Sequence, residues 1–516
     1  MAVMFGWHPE VAESVAVRMT RQAPPIDRST PSAGSSRGNL AGLSRRSLWL
    51  HEALTSEPPV PAPRLDGPIK AEVCVVGGGY TGLWTALRIS ELAPGASIVV
   101  LEADICGGAA SGRNGGFVDT WWAKIASRVK RVGEHEAVWL AKASEEAVSS
   151  IGTFCDEHSV DAHFLQNGWL WTATATAHLD SWRTAQDTCE RLGVHPFQEL
   201  DAQEVIRRTG SAAHLGGIFE PAAATVQPAL LARGMRRVAL QRGIRIFEHS
   251  PMKHLDRQAG VVETVLGRVQ ADTIVLATNV WLANVPELTR AIMPISSDVV
   301  ATAPLGDALA RSGWTGGESI SNSRMMVHYY RTTRDGRIAF GRGGGSLAYG
   351  GRIGHRFDYD VKRSREVIHD MRRLLPVTHG VDVTHAWSGA VDRSADGLPF
   401  VGRLNGRVPI WYGGGYSGNG VGPSYAIGRI LASVALGRKD EWASCGLVRG
   451  APGMLPAEPF RYFGGQVVRR AVACKEAREE AELPVDPVTR FVAGLVPAGF
   501  TRVNVRSSNP GLGADG

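Results

Sequence analysis

Cysteine is scarce in this chain: six in 516 residues, Cys74, Cys106, Cys155, Cys189, Cys445 and Cys474, with no C-x-x-C pair among them. That excludes redox or zinc sites built on that motif, and it reads as reduced thiols in a cytoplasmic protein. No histidine pair stands at metal-ligand spacing, so no metal is expected. No run of about 18 apolar residues occurs, and no membrane span is expected. The N-terminus lacks a basic segment followed by an apolar core, the mark of a secretory signal. The net charge of +6 comes from arginines spread along the chain without a basic block, so nucleic acid is not an expected partner.

Glycine is plentiful, at 61 residues, and its placement carries the chemistry. Glu72 to Val76 is a short run with the composition of a buried strand. Gly77-Gly78-Gly79-Tyr80-Thr81-Gly82 follows and fits G-x-G-x-x-G. Leu83 to Leu92 continues at helical spacing, and Ser97 to Leu101 is a second strand that ends on Glu102. This is a complete strand–helix–strand dinucleotide fingerprint. Gly77 permits the tight turn, Gly79 lets backbone approach a pyrophosphate, and Gly82 lets helix and strand pack closely. The helix N-terminus offers free N–H groups and a positive dipole end to the phosphates. Glu102 can accept both hydrogen bonds of an unphosphorylated adenosine ribose. The fingerprint says dinucleotide without saying which.

Ala109-Ala110-Ser111-Gly112-Arg113-Asn114-Gly115-Gly116 comes next, and an NAD domain needs nothing like it. With this loop the chain resembles the D-amino-acid oxidase family of FAD enzymes, in its glycine/sarcosine oxidase branch, and most of all the gamma-glutamylputrescine oxidoreductase group. The resemblance implies FAD contacts at Gly77, Gly79, Tyr80, Thr81, Gly82, Glu102 and Ala103, and a loop Ser111, Gly112, Arg113, Asn114, Gly115 that wraps the ribityl and pyrophosphate portion. Some relatives attach flavin through a cysteine, but no Cys occurs between Cys189 and Cys445; Ser111 to Gly116 carries no His either, so the FAD is expected to be non-covalent.

Farther along, the resemblance places the adenine against Met252 and a small-residue turn, Ala277-Thr278, near the dinucleotide. Trp121, Trp122, Trp139, Trp169, Trp171 and Trp182 cluster in the middle of the chain, as core packing or as an aromatic cage over an amine. Met325 to Arg334 and Gly336 to Gly341, joined by an Asp335-Gly336 turn, form a hairpin signal. In the related oxidases that hairpin faces the flavin, which makes Tyr329, Tyr330, Arg331 and Arg342 candidate substrate contacts; an arginine there would grip a carboxylate. His385 to Gly402 matches the family's W-x-G…D-x-x-P-x-x-G signature, with Gly389 close to the ring and the roles of Asp392 and Arg393 open.

Gly413 to Gly418 fits G-x-G-x-x-G a second time, ahead of a helix from Pro423 to Leu436. No strand ending in an acid follows it, so a second nucleotide site is disfavoured. The resemblance aims this helix tip, with Gly415, Tyr416, Ser417, Gly418, Asn419, Gly420 and Val421, at the N1–C2=O edge of the flavin, where reduced flavin is negative.

The expected fold is α/β (α+β overall): a Rossmann-like FAD-binding domain interleaved with an antiparallel-sheet substrate domain. The first comprises residues 46–118, 211–290 and 385–440, the second 119–210 and 291–384. Residues 1–45 read as a disordered extension and 441–516 as a helical tail, with Lys475/Glu479 and Arg478/Glu482 spaced for ion pairs. Trp49 is expected to pack on the domain surface. The implied activity is oxidation of the C–N bond of an amine or amino acid by hydride transfer to flavin N5, giving an imine that hydrolyses, with O2 as acceptor. Open alternatives are a protein or quinone acceptor, a non-catalytic flavin subunit, and an NAD-dependent dehydrogenase.

Overall fold

The computed structural model describes residues 44, 46–57, 62–314 and 317–497. The expected disorder of the N-terminal extension, apart from Ser44, and the last residues of the expected helical tail, 498–516, lie outside these residues. The chain opens on helix α1 (Leu48–Ser56), capped by the Ser47 hydroxyl. Strand β1 (Gly67–Val76), helix α2 (Tyr80–Leu92) and strand β2 (Ile98–Leu101) then form the fingerprint unit, in which β1 and β2 pair in parallel. Helix α3 (Pro228–Gln241), strands β3 (Arg245–Phe247) and β4 (Gly267–Leu276), strands β5 (Phe400–Leu404) and β6 (Ile410–Gly414), and helix α4 (Val421–Ala435) complete this part. Along its main path the sheet order is β5-β6-β4-β1-β2-β3, parallel except for the β5/β6 hairpin; strands Val261–Glu263 and His254–Asp256 add antiparallel to β4 off that path.

The C-terminal halves of the central strands, Val73–Val76 of β1 and Ile274–Leu276 of β4, and all of β2 read as apolar runs because both faces of the sheet are covered there. Val73 and Val75 pack under Leu83 and Leu87 of α2, Met235 of α3 and Ile427 of α4. Cys74, Val76, Ile274 and Phe400 fill the opposite face. Gln227 caps α3 through its side chain, Pro228 opens the helix, and Gly243 at φ +79° follows its end.

The second sheet runs, in spatial order, Val383–Ser394, Ile292–Thr302, Ile338–Arg342, His328–Thr332, Ser319–Asn322, Trp169–Ala173, Gly216–Glu220 and Gln198–Leu200. Its pairs are antiparallel except that Ser319–Asn322 lies parallel to Trp169–Ala173. The predicted hairpin is present, with Gly336 at φ +76° in its turn. Helix Val361–Leu374 covers one face, where Tyr330, Phe340, Val367 and Met371 meet. The other face carries Val299, Ala339 and Trp387 against Trp49.

Three sequence expectations are corrected. Strands Gly216–Glu220 and Val383–Ser394, assigned by sequence to the FAD-binding portion, hydrogen-bond into the second sheet, because their partners are Trp169–Ala173 and Ile292–Thr302. Trp49 is not a surface residue: it is 1% exposed, edge-on to Trp387 with ring centroids 6.1 Å apart. The C-terminal helix Phe460–Glu480 is docked on its own chain, where Glu476 is buried in an ion pair with Arg324 at 3.0 Å. Lys475 and Glu479 form their expected pair at 2.5 Å, but Arg478 donates to the Pro484 carbonyl instead of meeting Glu482.

Candidate functional site

The turn after β1 is built so that no side chain fits in it. Gly77 sits at φ +115°, and a Cβ there would lie 2.4 Å from the Ala277 carbonyl oxygen. A Cβ on Gly82 would lie 1.9 Å from the Gly77 carbonyl oxygen. Gly79, in extended conformation, caps α2 without any side-chain hydrogen bond, and the first turn of α2 holds no acid. The Glu102 carboxylate accepts from Gly78 N at 2.7 Å and Asp104 N at 2.9 Å, while burial pushes its pKa up. Ala103 beside it is exposed. Ser250 N donates to the Glu102 carbonyl, which brings the Ser250–Met252 segment to the same end of the sheet. Ala277 and Thr278 abut Gly77. The Tyr80 phenol is turned away, into a 2.7 Å hydrogen bond with the Pro228 carbonyl that ties α2 to α3.

The Ser111–Gly115 loop closes over this turn. Ser111 Oγ accepts from Tyr80 N at 2.9 Å. Four side chains from elsewhere hold the loop by its carbonyls. Ser47 Oγ donates to Gly112 at 2.7 Å, Trp387 Nε1 to Arg113 at 2.8 Å, Trp49 Nε1 to Asn114 at 2.8 Å and Arg331 Nε to Gly115 at 3.0 Å. The Asn114 amide ties the loop to itself, donating to Ala110 and Ser111 carbonyls and accepting from Gly116 N. Arg113 reaches the Ser388 carbonyl at 3.1 Å and pairs with Asp358 at 3.3 Å.

The second glycine loop stands against the first. Gly415, Ser417 and Gly418 all have positive φ, at +83°, +58° and +97°. Asp392 pins them: its carboxylate accepts from Gly415 N at 2.6 Å and its carbonyl from Ser417 N at 3.2 Å. Burial pushes the Asp392 carboxyl up to about 6, against the N–H donors that lower it. Gly420 caps α4 without a side-chain hydrogen bond, and the first turn again holds no acid. Helices α2 and α4 cross in contact, with a Cβ on Gly428 reaching 2.6 Å from Trp84 Cβ. The Thr81 and Tyr416 hydroxyls meet at 2.6 Å. One strand touches both loops: in Val383–Ser394, a Cβ built on Gly389 would lie 3.5 Å from Arg113 Cβ, while Val391 and Arg393 each come within 3.7 Å of a Cβ built on Gly418.

The expected substrate contacts fall on two faces of the hairpin. Tyr330 is a core residue, stacked on Phe340, edge-on to Trp314 and hydrogen-bonded to His214 Nε2 at 2.6 Å. Arg342 lies on that same helix-covered face, paired with Asp370 at 3.0 Å. Neither faces the glycine loops, so both are corrected. Arg331 does face them but is buried beneath Gly115 and Gly116, giving its second nitrogen to the Val226 carbonyl at 2.5 Å. Its pKa is lowered to about 10 by burial, and it lies over the Trp49 ring. Tyr329 has the opposite parity to Tyr330. Its ring covers Gly341 and touches Gly115, and its hydroxyl meets Ser297 Oγ at 2.8 Å. Of the tryptophans, Trp121, Trp122, Trp169, Trp171 and Trp182 are buried in cores, Trp169 and Trp171 stacked with centroids 5.6 Å apart. Sequence reasoning missed Ser297, the loop-holding indoles of Trp49 and Trp387, and the clamp by Asp392. The last had a signal: an acid two residues before the end of a strand that meets a glycine loop.

These residues fit FAD. Two glycine-capped helix tips, each without a side-chain cap or a first-turn acid, leave N–H groups and two positive dipole ends for a pyrophosphate and for the anionic edge of a flavin. Asn419 Oδ1, at the second tip, is a buried acceptor without a protein partner. Among the described residues, no helix is long and apolar enough to cross a membrane, and no His, Cys, Asp or Glu group could hold a metal ion. The family model for FAD dependent oxidoreductases (DAO) matches residues 72–434. The chain is 31% identical over 416 residues to gamma-glutamylputrescine oxidoreductase of Escherichia coli, covering 79% of this chain and 92% of that one. It is 30% identical to the probable oxidoreductase OrdL of Rhizobium meliloti, covering 76% and 89%. Among solved structures, glycine oxidase from Geobacillus kaustophilus aligns with a TM-score of 0.60 at 17% identity, covering 74% and 99%. The chain therefore belongs to the DAO family of FAD-dependent oxidoreductases.

Proposed function

We propose that this enzyme oxidises the C–N bond of an amine or amino acid and passes the electrons to O2. Bound FAD supplies the hydride acceptor for the carbon next to nitrogen. The chain supplies the rest. Helix α4 directs its N-terminal N–H groups and dipole at the place where negative charge accumulates. Asp392 keeps those N–H groups in register by holding Gly415 and Ser417 from behind. The Ser297 and Tyr329 hydroxyls, on the loop-facing side of the second sheet, would position the substrate beside Gly389 and Gly115. Arg393, beside Gly418, is the arginine we assign to a substrate carboxylate, where the substrate has one. Water would hydrolyse the imine product to a carbonyl compound and an amine.

The observation that carries the reading is the Val383–Ser394 strand, which meets the first glycine-rich loop at Gly389 and the second at Val391 and Arg393. The 31% identity to a gamma-glutamylputrescine oxidoreductase supports γ-glutamyl polyamines as the first substrates to try. All six cysteines are free, which supports a reducing, cytoplasmic setting. The domain division, with strands Gly216–Glu220 and Val383–Ser394 moved to the substrate sheet, is part of the same proposal. The test is anaerobic bleaching of the yellow enzyme by a panel of γ-glutamyl polyamines, simple amines and N-methyl amino acids, followed by admission of air. Bleaching by one class and stoichiometric peroxide are expected. Bleaching without peroxide would move the acceptor to a quinone or protein; no bleaching by any amine would overturn the reading.

A further inference from the structure

Asn419 stands between Gly418 and the cap of α4. Its amide nitrogen donates to the Thr120 carbonyl at 3.0 Å. A carbonyl only accepts, so this contact decides the orientation of the amide: the NH2 goes to Thr120 and the oxygen goes elsewhere. That oxygen is buried and has no hydrogen-bond partner in the protein. A buried acceptor left unpaired is costly, and a donor that completes it is correspondingly favoured.

The Thr120 carbonyl is itself held in place. The Thr120 hydroxyl donates to the carboxyl of Glu220 and accepts from Trp122 N at 3.3 Å. Glu220 ends the strand Gly216–Glu220 and is 1% exposed. On the other side, a Cβ on Gly422 would lie 2.7 Å from the Asp119 carbonyl oxygen, so the first turn of α4 presses on this same backbone. The Asp119–Thr120 segment is thus clamped between a buried carboxyl and the helix tip.

The pyrimidine edge of an isoalloxazine presents two carbonyls and one imide N–H between them. The N–H groups of a helix tip suit the carbonyls; only an acceptor suits the N–H. We propose that Asn419 Oδ1 is the acceptor for the flavin N3–H, and that Glu220 and Thr120 are positioning residues that hold it there. The inference rests on reading α4 as the helix that faces the flavin ring.

The test uses holoenzyme reconstituted with 15N-labelled FAD, with the N3 resonance followed by NMR and FAD affinity by fluorescence quenching. Asn419→Ala is expected to move the N3 resonance toward its position in free flavin and to weaken binding about three- to tenfold, the loss of one neutral hydrogen bond. Glu220→Ala is expected to move the same resonance in the same direction by less. Glu220→Gln keeps an acceptor for Thr120 and is expected to leave the resonance at its wild-type position. If the alanine variant at 419 does not fold, Asn419→Ser serves, with the same shift expected. An N3 resonance unmoved by the loss of Asn419 overturns the acceptor assignment, and one unmoved by Glu220→Ala overturns the positioning role; in both cases FAD still binds. A wild-type chain that takes up no FAD overturns the underlying reading instead.

Discussion

The hydroxyls of Thr81 and Tyr416 stand 2.6 Å apart although 335 positions separate them in the chain. Thr81 lies in the first turn of α2 and Tyr416 in the loop before α4, so this one contact joins the two glycine-lined tips. Both side chains are buried, and burial pushes the Tyr416 phenol pKa up, which keeps it a neutral donor or acceptor. Tyr416→Phe leaves the Thr81 hydroxyl unpaired and is expected to cost about 1 kcal/mol of holoenzyme stability, with weaker FAD retention. Thermal unfolding with and without added FAD checks it. An unchanged melting temperature and FAD affinity would show that the contact does not couple the tips.

Arg331 and Tyr330 are neighbours with different tasks. Arg331→Met removes charged donors from the Gly115 and Val226 carbonyls and is expected to cost about 2–4 kcal/mol and to raise the FAD dissociation constant. Tyr330→Phe removes the phenol's contacts with His214 and Thr209, on the face turned away from the glycine loops, and is expected to cost about 1 kcal/mol with kcat/KM within about twofold of the parent. Stability comes from denaturant melts and kcat/KM from initial rates. A large KM increase in Tyr330→Phe with unchanged stability would put that phenol in the substrate site after all.

Glu220 gives the protein a pH dependence of definite sign. Burial pushes its carboxyl up from 4.5 to about 8. The folded state therefore holds the proton more tightly than the unfolded chain, so this group's contribution is full below about pH 4.5 and falls as pH rises to about 8. Glu220→Gln has no such titration. It is expected to gain on the wild type across that window, by up to about 4 kcal/mol at its upper end. Denaturation midpoints at pH 5, 6.5 and 8 measure the difference. Parallel curves would mean that Glu220 is ionised at its ordinary pKa.

The flavin is expected to be free of any covalent bond. Cys189 and Cys445 lie in helix and post-helix cores, and the Ser111–Gly116 loop has no histidine to offer. Acid precipitation should leave all the yellow colour in the supernatant. Colour in the washed pellet would mean an attachment at a residue not considered above.

Much of the nucleotide half was legible because its signals are local. Gly82 meets the Gly77 carbonyl and Glu102 meets Gly78 N within one strand–helix–strand unit, although the carbonyl that crowds Gly77 itself comes from Ala277. The hairpin was legible too, but not which of its faces turned inward. Both faces of that sheet are covered, one by helix Val361–Leu374 and one by the glycine loops, so alternation distinguishes Tyr329 from Tyr330 without saying which meets the cofactor. The partners that decide it, His214 for Tyr330 and Ser297 for Tyr329, are set by strand pairing at a distance. Trp49 was illegible for the same reason: nothing before β1 tells that its indole will reach the Asn114 carbonyl and lie edge-on to Trp387.

The most direct test of the central claim is a crystal structure of the yellow protein as purified. The account predicts one FAD per chain, its pyrophosphate at the α2 tip beside Gly79 and Ser111, its ring running beside Gly389 toward Gly418 and the α4 tip. Flavin bound away from either tip, or a separate nucleotide at each, would contradict it.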